Sequence, residues 1–243
     1  MYIYIVEKNN FLLKENLANF SELEFVNGIP NSKYYFVYDT DGLSFVKDST
    51  YPKEALHLDF LKGAVDWRIK RASHEGNIKK ALGKSDKQLL IFDSTAGLLT
   101  DTLIFLSLGH KVVAVEQSKI LYSLVKDAVS RAEKKIPELK NLILINDNSI
   151  NAYKTISKDF DAIYIDPMFP ISKKYTKKSG KIESIKKILE LENLNEDSQP
   201  LIEIFLDTNY NKIIFKRPLK QRNIYSNINY QVFGKTTRFD IFL

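Results

Sequence analysis

The sequence of 243 residues contains no cysteine. This absence excludes disulfides, iron–sulfur clusters, thiolate zinc sites and every mechanism that depends on a cysteine nucleophile. Histidine is also rare: His57, His74 and His110 are scattered along the chain rather than spaced as metal ligands. We therefore predict a protein without a bound metal.

Long hydrophobic runs are missing as well. No apolar stretch approaches the roughly 20 residues that a membrane-spanning helix requires. The first residues alternate tyrosine and isoleucine, and they lack the order of a signal peptide. Hydrophobic residues make up 44% of the chain and charged residues 27%, as in an ordinary folding chain. We expect a soluble, cytoplasmic protein.

Arginine is scarce, although the chain carries 36 Lys and Arg residues against 30 Asp and Glu residues. The basic excess lies in two blocks, residues 51–88 and 171–243. It suits a polyanionic partner such as RNA, while solvated lysines in a lysine-rich composition are the alternative. Five of the six arginines fall in these blocks and are candidates for phosphate or base contacts: Arg68, Arg71, Arg217, Arg222 and Arg238.

The chain divides into two parts by pattern. Residues 1–60 show short β-type runs separated by turn signals, which predicts a small α+β N-terminal subdomain. In residues 61–243, short apolar runs alternate with amphipathic stretches, which is typical of parallel strands covered by helices on both faces. The runs are 89–92, 111–115, 142–145, 162–165, 212–215 and 239–243. We predict an α/β fold with a mostly parallel, doubly wound, Rossmann-like sheet.

Ligands bind at the carboxyl ends of the strands in such sheets. Asp93 follows the first run, and Gly97 opens a turn in which the backbone can approach a nucleotide-like cofactor. An ordinary strand-to-helix turn is the alternative for this motif. Glu116 follows the second run, where a carboxylate can accept hydrogen bonds from both ribose hydroxyls. The chain lacks the G-x-G-x-x-G turn of dinucleotide sites, which favours a nucleoside cofactor without phosphates.

Two further strand ends carry polar motifs. After the third run, residues 146–149 suit an adenine edge, although an asparagine-rich loop cap explains them equally well. After the fourth run comes Asp166-Pro167-Met168-Phe169-Pro170, the most specific motif in the chain. Its prolines fix the backbone so that the Asp166 carboxylate and the Pro167 carbonyl can face an exocyclic amine, while Phe169 offers a stacking face. A rigid turn is the alternative.

A lysine-rich segment follows this motif directly. It contains Lys173, Lys174, Lys177 and Lys178 beside the predicted base pocket. A basic loop there tracks phosphates and adds a salt-dependent share of the affinity for RNA. Solvated disorder is the competing interpretation.

Together these motifs resemble a known family. The acid-Gly turn, the acid after the second strand and the Asp-Pro-x-aromatic motif are similar to class I S-adenosylmethionine methyltransferases. The sequence more closely resembles the RsmJ family, the guanine-N2 methyltransferases of small-subunit ribosomal RNA. Order and spacing agree from about Leu58 to the C-terminus, over Asp93-x-Thr95-Ala96-Gly97-Leu98-x-x-Asp101, Glu116, Asp166 to Pro170, Lys216-Arg217-Pro218 and Arg238-Phe239-Asp240-Ile241.

The resemblance implies a cofactor, a partner and site residues. The cofactor is S-adenosylmethionine, which becomes S-adenosylhomocysteine, and the partner is small-subunit ribosomal RNA or the small ribosomal subunit. Lys216, Arg217 and Arg238 are expected to contact phosphate or base. The implied cofactor contacts are Thr100, Asp101, Glu116, Gln117, Asn148, Ser149 and Asp166. The chain departs from the family at Leu99 and Thr100, where a glycine and an arginine are usual.

Two other functions fit the sequence. Asp-Pro-x-aromatic motifs serve several exocyclic amines, so adenine N6 or another amine in DNA or RNA is an alternative substrate. The altered turn at Leu99 and Thr100 motivates a third hypothesis, an RNA-binding module that keeps the fold but not the cofactor.

Overall fold

The computed structural model describes residues 1–5, 17, 23–31, 33–48, 50, 55–156, 158–167, 180–194 and 199–243. The chain forms two compact units. The first unit consists of Met1–Val65, Ser118–Pro137 and Lys174–Asn195, and the second of Asp66–Gln117, Glu138–Lys173 and Glu196–Leu243. The first unit therefore adds two later segments to the N-terminal region. The domain boundary at residue 60 stays a prediction.

The first unit contains a five-stranded sheet in the order β2-β1-β3-β4-β5. Strand β1 pairs in parallel with β2 and β3, whereas β4 is antiparallel to β3 and β5. Tyr35, Phe36 and Tyr38 of β3 are buried, and Phe36 packs edge-to-face on Phe45 of β4 with ring centroids 5.7 Å apart. The strands are β1 Tyr2–Ile5, β2 Glu24–Val26, β3 Tyr35–Asp39, β4 Gly42–Val46 and β5 Leu56–His57.

The second unit contains a seven-stranded sheet in the order β11-β12-β10-β9-β6-β7-β8. Across the sheet, the five strands β8, β7, β6, β9 and β10 pair in parallel with their neighbours. Strand β12 is antiparallel to both β10 and β11. The strands are β6 Leu90–Asp93, β7 Lys111–Val115, β8 Leu142–Ile145, β9 Ala162–Ile165, β10 Ile213–Pro218, β11 Tyr230–Phe233 and β12 Thr237–Phe242. The mostly parallel α/β sheet is confirmed, and β11 is an additional strand.

The described residues include seven α-helices. They are α1 Gly63–Lys70, α2 Gly76–Leu82, α3 Thr102–Ser107, α4 Lys119–Ala132, α5 Ser149–Thr155, α6 Gly180–Leu191 and α7 Gln199–Leu206, with short 3₁₀ turns at Ala72–His74 and Pro137–Asn141. In the second unit, α3 packs on β7 and α7 on β10. None of the described helices is both long and apolar enough to cross a membrane.

The core of the second unit lies around Phe92 of β6. The rings of Phe160, Tyr153 and Phe205 surround it, with centroids 5.0, 5.2 and 6.0 Å away. All four residues of β9 are buried, as the continuous apolar run predicts for a central parallel strand. This packing fixes the carboxyl ends of β6 and β9 side by side.

In the first unit, helix α4 packs on β4 through a buried carboxylate. Asp127 accepts a hydrogen bond from the backbone N–H of Leu43 (3.0 Å) and pairs with Arg131 (2.8 Å). Gly42 has φ +111°, and a Cβ there would lie 2.3 Å from Nε of Arg131. The left-handed backbone and this close approach both require glycine.

The strand order reverses between β6 and β9. From β6 the chain continues outward to β7 and β8 and then returns to β9 on the other side of β6. In open α/β sheets the crevice at such a reversal, at the carboxyl ends of the strands, is the ordinary ligand site. Asp93 ends β6, and Asp166 directly follows β9.

Candidate active site

Asp93 is buried at the end of β6, with 2% of its surface exposed. Its carboxylate accepts hydrogen bonds from the Thr102 hydroxyl and from the backbone N–H of Thr95, the latter over 3.1 Å. Burial raises the pKa of Asp93 to about 7, against the lowering effect of these two donors. The carboxylates of Asp101 and Asp166 raise it further.

The turn after β6 uses two left-handed residues. Gly97 has φ +51° and Leu99 has φ +57°. A glycine is the ordinary choice in this region, and the resemblance places one at position 99. The Leu99 side chain is fully buried, so its packing offsets the backbone strain. The backbone N–H of Gly97 donates to the Glu116 carboxylate over 2.9 Å, which joins the ends of β6 and β7.

Asp101 lies just before α3 and is 6% exposed. Its carboxylate accepts hydrogen bonds from the Tyr164 hydroxyl (2.6 Å), from Nζ of Lys216 (2.6 Å) and from Nη2 of Arg68 (3.2 Å). Burial alone would raise the pKa of Asp101, but Lys216, Tyr164 and Arg68 together hold it below its usual value. Asp101 is therefore an ionised counter-ion at neutral pH.

Asp166 lies beside Asp101 and shares its cation. Nζ of Lys216 is 2.7 Å from the Asp166 carboxylate, and the backbone N–H of Asp166 donates to the Thr95 hydroxyl over 2.7 Å. Burial raises the pKa of Asp166, and Asp101 adds to this rise while Lys216 opposes it. Burial would lower the pKa of Lys216, but the two carboxylates raise it above its usual value. Lys216 thus stays charged and holds the two acids together.

The ends of β7 and β8 are joined by Asn146. Its side-chain amide donates to the backbone carbonyls of Glu116 (2.7 Å) and Gln117 (3.2 Å). Asn148 caps α5, because its side-chain oxygen accepts the backbone N–H groups of Ile150 and Asn151. The loop-cap interpretation therefore holds for this oxygen. Ser149 is buried, and Thr100 and Gln117 are exposed.

Two predicted RNA contacts require correction. Arg217 and Arg238 are buried, at 2% and 4% exposure, and both pair with Asp240, over 3.2 and 2.9 Å. Nη2 of Arg217 also donates to the backbone carbonyl of Arg222 (3.0 Å), and Nη1 of Arg238 donates to that of Gln221 (2.6 Å). We withdraw Arg217 and Arg238 as RNA contacts, since their guanidiniums are enclosed in the protein.

The other predicted RNA residues fall into three groups. Lys216 binds the carboxylates of the site instead of facing a phosphate, so its role is reassigned. Arg68 is partly buried and pairs with both Glu75 (2.7 Å) and Asp101, whereas Arg71 is exposed. Lys173, Lys174, Lys177 and Lys178 lie outside the described residues, as does Phe169 of the predicted catalytic set; Pro167 is described and partly buried.

The sequence analysis assigned no role to three side chains of the site. Thr95 and Thr102 hold Asp166 and Asp93, and Tyr164 holds Asp101. The available signal was Tyr164, a phenol inside an otherwise aliphatic run, since a buried tyrosine hydroxyl needs a hydrogen-bond partner. The two threonines stand in the turn and at the start of α3, and nothing in their spacing distinguishes them from caps.

The donor set fits a positively charged nucleoside cofactor. Carboxylates stand at the ends of β6, β7 and β9, where a sulfonium, an ammonium group and ribose hydroxyls find acceptors. Glu116 is anchored by Gly97, and a carboxylate has about four lone-pair positions, so it can accept ribose hydroxyls as well. Among the described residues, no group of three or more His, Asp or Glu side chains is arranged to hold a metal.

Known proteins are similar to this chain over most of its length. Residues 18–243 match the family described as "Putative SAM-dependent methyltransferase". Ribosomal RNA small subunit methyltransferase J of Francisella tularensis subsp. novicida is 31% identical, over 96% of this chain and 97% of its own length. The protein of the same name from Francisella philomiragia is 32% identical, over 94% of each chain.

A solved structure shares the fold. The crystal structure of a SAM-dependent methyltransferase from Neisseria gonorrhoeae superimposes with a TM-score of 0.68 and 22% identity, covering 100% of this chain and 96% of that one. The chain belongs to the family of SAM-dependent methyltransferases that includes the proteins named ribosomal RNA small subunit methyltransferase J.

Proposed function

We propose that this enzyme transfers a methyl group from S-adenosylmethionine to the exocyclic N2 amine of a guanine in small-subunit ribosomal RNA. The observation that carries the proposal is the pair Asp166 and Lys216 at the switch point of the sheet, 2.7 Å apart. The relatives named ribosomal RNA small subunit methyltransferase J support the choice of RNA. We expect the enzyme to act in the cytoplasm, on the RNA or on the assembled small subunit.

The cofactor, when bound, supplies an electrophilic methyl group on a sulfonium. We assign the ribose to Glu116, which Gly97 fixes in place. Asp101 already accepts hydrogen bonds from Lys216, Tyr164 and Arg68. We therefore expect its negative charge to attract the cationic cofactor through the electrostatic field of the site more than through one direct contact. Thr100 and Gln117 are proposed to line the rim of the same pocket.

Asp166 is the proposed acceptor for the target amine. An aromatic amine has a delocalised lone pair, so it must be oriented, and it loses one proton as the N–C bond forms and the S–C bond breaks. A carboxylate with a raised pKa is a better proton acceptor than an ordinary aspartate. Lys216 keeps that carboxylate ionised despite its burial. The Pro167 carbonyl and the Phe169 ring are proposed to bind the amine and the base.

The test is incorporation of labelled methyl into small-subunit ribosomal RNA that lacks this modification, with the product nucleoside identified by mass. The proposal predicts N2-methylguanosine. A labelled adenine would identify a different amine as the substrate, and cofactor binding without transfer to any RNA would contradict the proposal. If the wild-type protein binds no cofactor, the result would favour the third hypothesis, an RNA-binding module that keeps the fold.

A further inference from the structure

Trp67 is the single tryptophan of the chain and lies exposed on helix α1. Its side chain is 60% accessible, and no residue of α1 is buried. A helix with no fully buried residue gains little from packing, and a large indole on its surface adds apolar area in contact with water. This arrangement is expected where the indole binds a partner.

The surroundings of Trp67 are cationic. The Arg71 guanidinium lies over the indole, 4.9 Å from the ring centroid. Residues 66–80 contain five basic and two acidic side chains, and each of the two acids is paired: Asp66 with Lys70 (2.8 Å) and Glu75 with Arg68 (2.7 Å). The net charge of this surface is positive, which is complementary to a polyanion.

Helix α1 is tied to the active site. Arg68, the neighbour of Trp67, reaches Asp101 over 3.2 Å, and Asp101 connects through Lys216 to Asp166. These ion pairs connect the helix that carries Trp67 to the proposed acceptor of the target amine. We therefore place the nucleotides that flank the target guanine along helix α1.

We propose that Trp67 and Arg71 form a stacking platform for an unpaired base of the RNA strand beside the target guanine. The inference rests on the proposed function. Sequence-tolerant binding of single-stranded RNA commonly combines a basic surface with an aromatic ring on which a base stacks. Duplex RNA hides its base faces, so the platform selects a strand that is locally unpaired.

The single tryptophan allows a direct test, since emission excited selectively in tryptophan reports on Trp67 alone. A short single-stranded RNA oligomer of mixed sequence is titrated in, and an abasic oligomer of equal length serves as the control. The intact oligomer quenches the emission and the abasic one does not. Trp67→Ala weakens binding of the intact oligomer at least about fivefold, and Trp67→Phe restores part of the loss. The salt dependence stays unchanged, because no phosphate contact is lost.

Two results would overturn the platform. One is equal quenching by the abasic oligomer, which would indicate phosphate contacts alone. The other is equal RNA affinity for wild type and Trp67→Ala, together with unchanged emission. If methyl transfer to small-subunit RNA persists in that case, the proposed function survives without the platform. If wild type transfers no methyl but RNA quenches Trp67, the proposed function fails and the platform remains.

Discussion

Lys216 and Arg217 are neighbours on β10, yet they belong to two different ionic clusters. Lys216 lies in an acidic cluster formed with Asp101, Asp166 and Arg68, while Arg217 lies in an arginine cluster formed with Arg238 and Asp240. Successive side chains of a strand point to opposite faces, which separates the two cations. Two adjacent residues therefore have different roles: Lys216 belongs to the proposed active site, and Arg217 belongs to a structural ion cluster.

The clusters differ in charge balance and in exposure. In the acidic cluster the Asp166 side chain is 33% exposed and Lys216 21%, whereas in the arginine cluster Asp240 is fully buried and Arg217 is 2% exposed. Arg217 and Arg238 stand directly opposite each other across β10 and β12, so Asp240 is needed to offset their repulsion. The acidic cluster balances two carboxylates with two cations and leaves Asp166 partly exposed, so it can meet a cofactor and an amine. The buried arginine cluster carries one net positive charge and stabilises the sheet.

The largest predicted effect is a loss of stability when the arginine cluster is changed. Asp240→Asn leaves two buried guanidiniums facing each other without a counter-charge, so the free energy of unfolding should fall by about 3–5 kcal/mol. Chemical denaturation measures this loss. The affinity of the folded variant for the cofactor should stay within about twofold. A loss below about 1 kcal/mol would mean that Asp240 is not the structural centre we describe.

Removing one charge from the acidic cluster should affect catalysis instead of stability. Lys216→Met leaves Asp101 and Asp166 side by side without their cation, which raises the pKa of Asp166 further. Single-turnover methyl transfer should fall by about 10²-fold or more, and the pH of half-maximal rate should move upward. Lys216→Arg, which keeps the charge, should recover part of the rate. An unchanged pH profile in Lys216→Met would argue against this positioning role.

A smaller effect is expected at Glu116, which we assign to the ribose. Glu116→Gln keeps an acceptor for the Gly97 N–H but removes the charge and one acceptor for a hydroxyl. Cofactor affinity measured by calorimetry should weaken by roughly 1–3 kcal/mol, with little change in stability. Identical affinity in wild type and variant would place the ribose elsewhere.

The last predicted effect is a change in how stability depends on pH, and it concerns Asp93. Its pKa is raised to about 7 in the folded protein, so between its unfolded pKa near 4 and pH 7 the native state holds a proton that the unfolded state has lost. Stability from this group therefore falls as pH rises through that window and is level above it. Asp93→Asn should remove this slope, which is at most about 1.4 kcal/mol per pH unit. Parallel stability curves for the two proteins between pH 4 and pH 7 would contradict the assignment.

The sheet could be predicted because central strands such as β7 and β9 are buried on both faces. Continuous apolar runs such as 111–115 and 162–165 reappear as β7 and β9 with the same bounds. The carboxylates could be located because strand ends in parallel sheets share one edge. Strand β11 was missed, since its Tyr-Gln-Val-Phe sequence at the edge of the sheet has only one buried residue.

The ion-pair partners of Lys216 and Arg217 could not be predicted from the sequence. The run 212–215 ended the predicted strand before Lys216 and Arg217, so the alternation that separates them was not considered, whereas β10 continues to Pro218. Both cations looked like contacts to RNA because their partners, Asp101 and Asp240, lie 115 and 23 positions away in the sequence. Only the register of β10 with β9 and β12 reveals these pairs.

The central claim is that Asp166 accepts the target amine in an otherwise intact cofactor site. Its most direct test is Asp166→Asn, which keeps the shape of the side chain and removes its charge, with single-turnover transfer and cofactor calorimetry measured on the same preparation. We predict a rate reduced by at least about 10²-fold and a dissociation constant for the cofactor within about threefold of wild type. A variant that transfers methyl at the wild-type rate would contradict the claim.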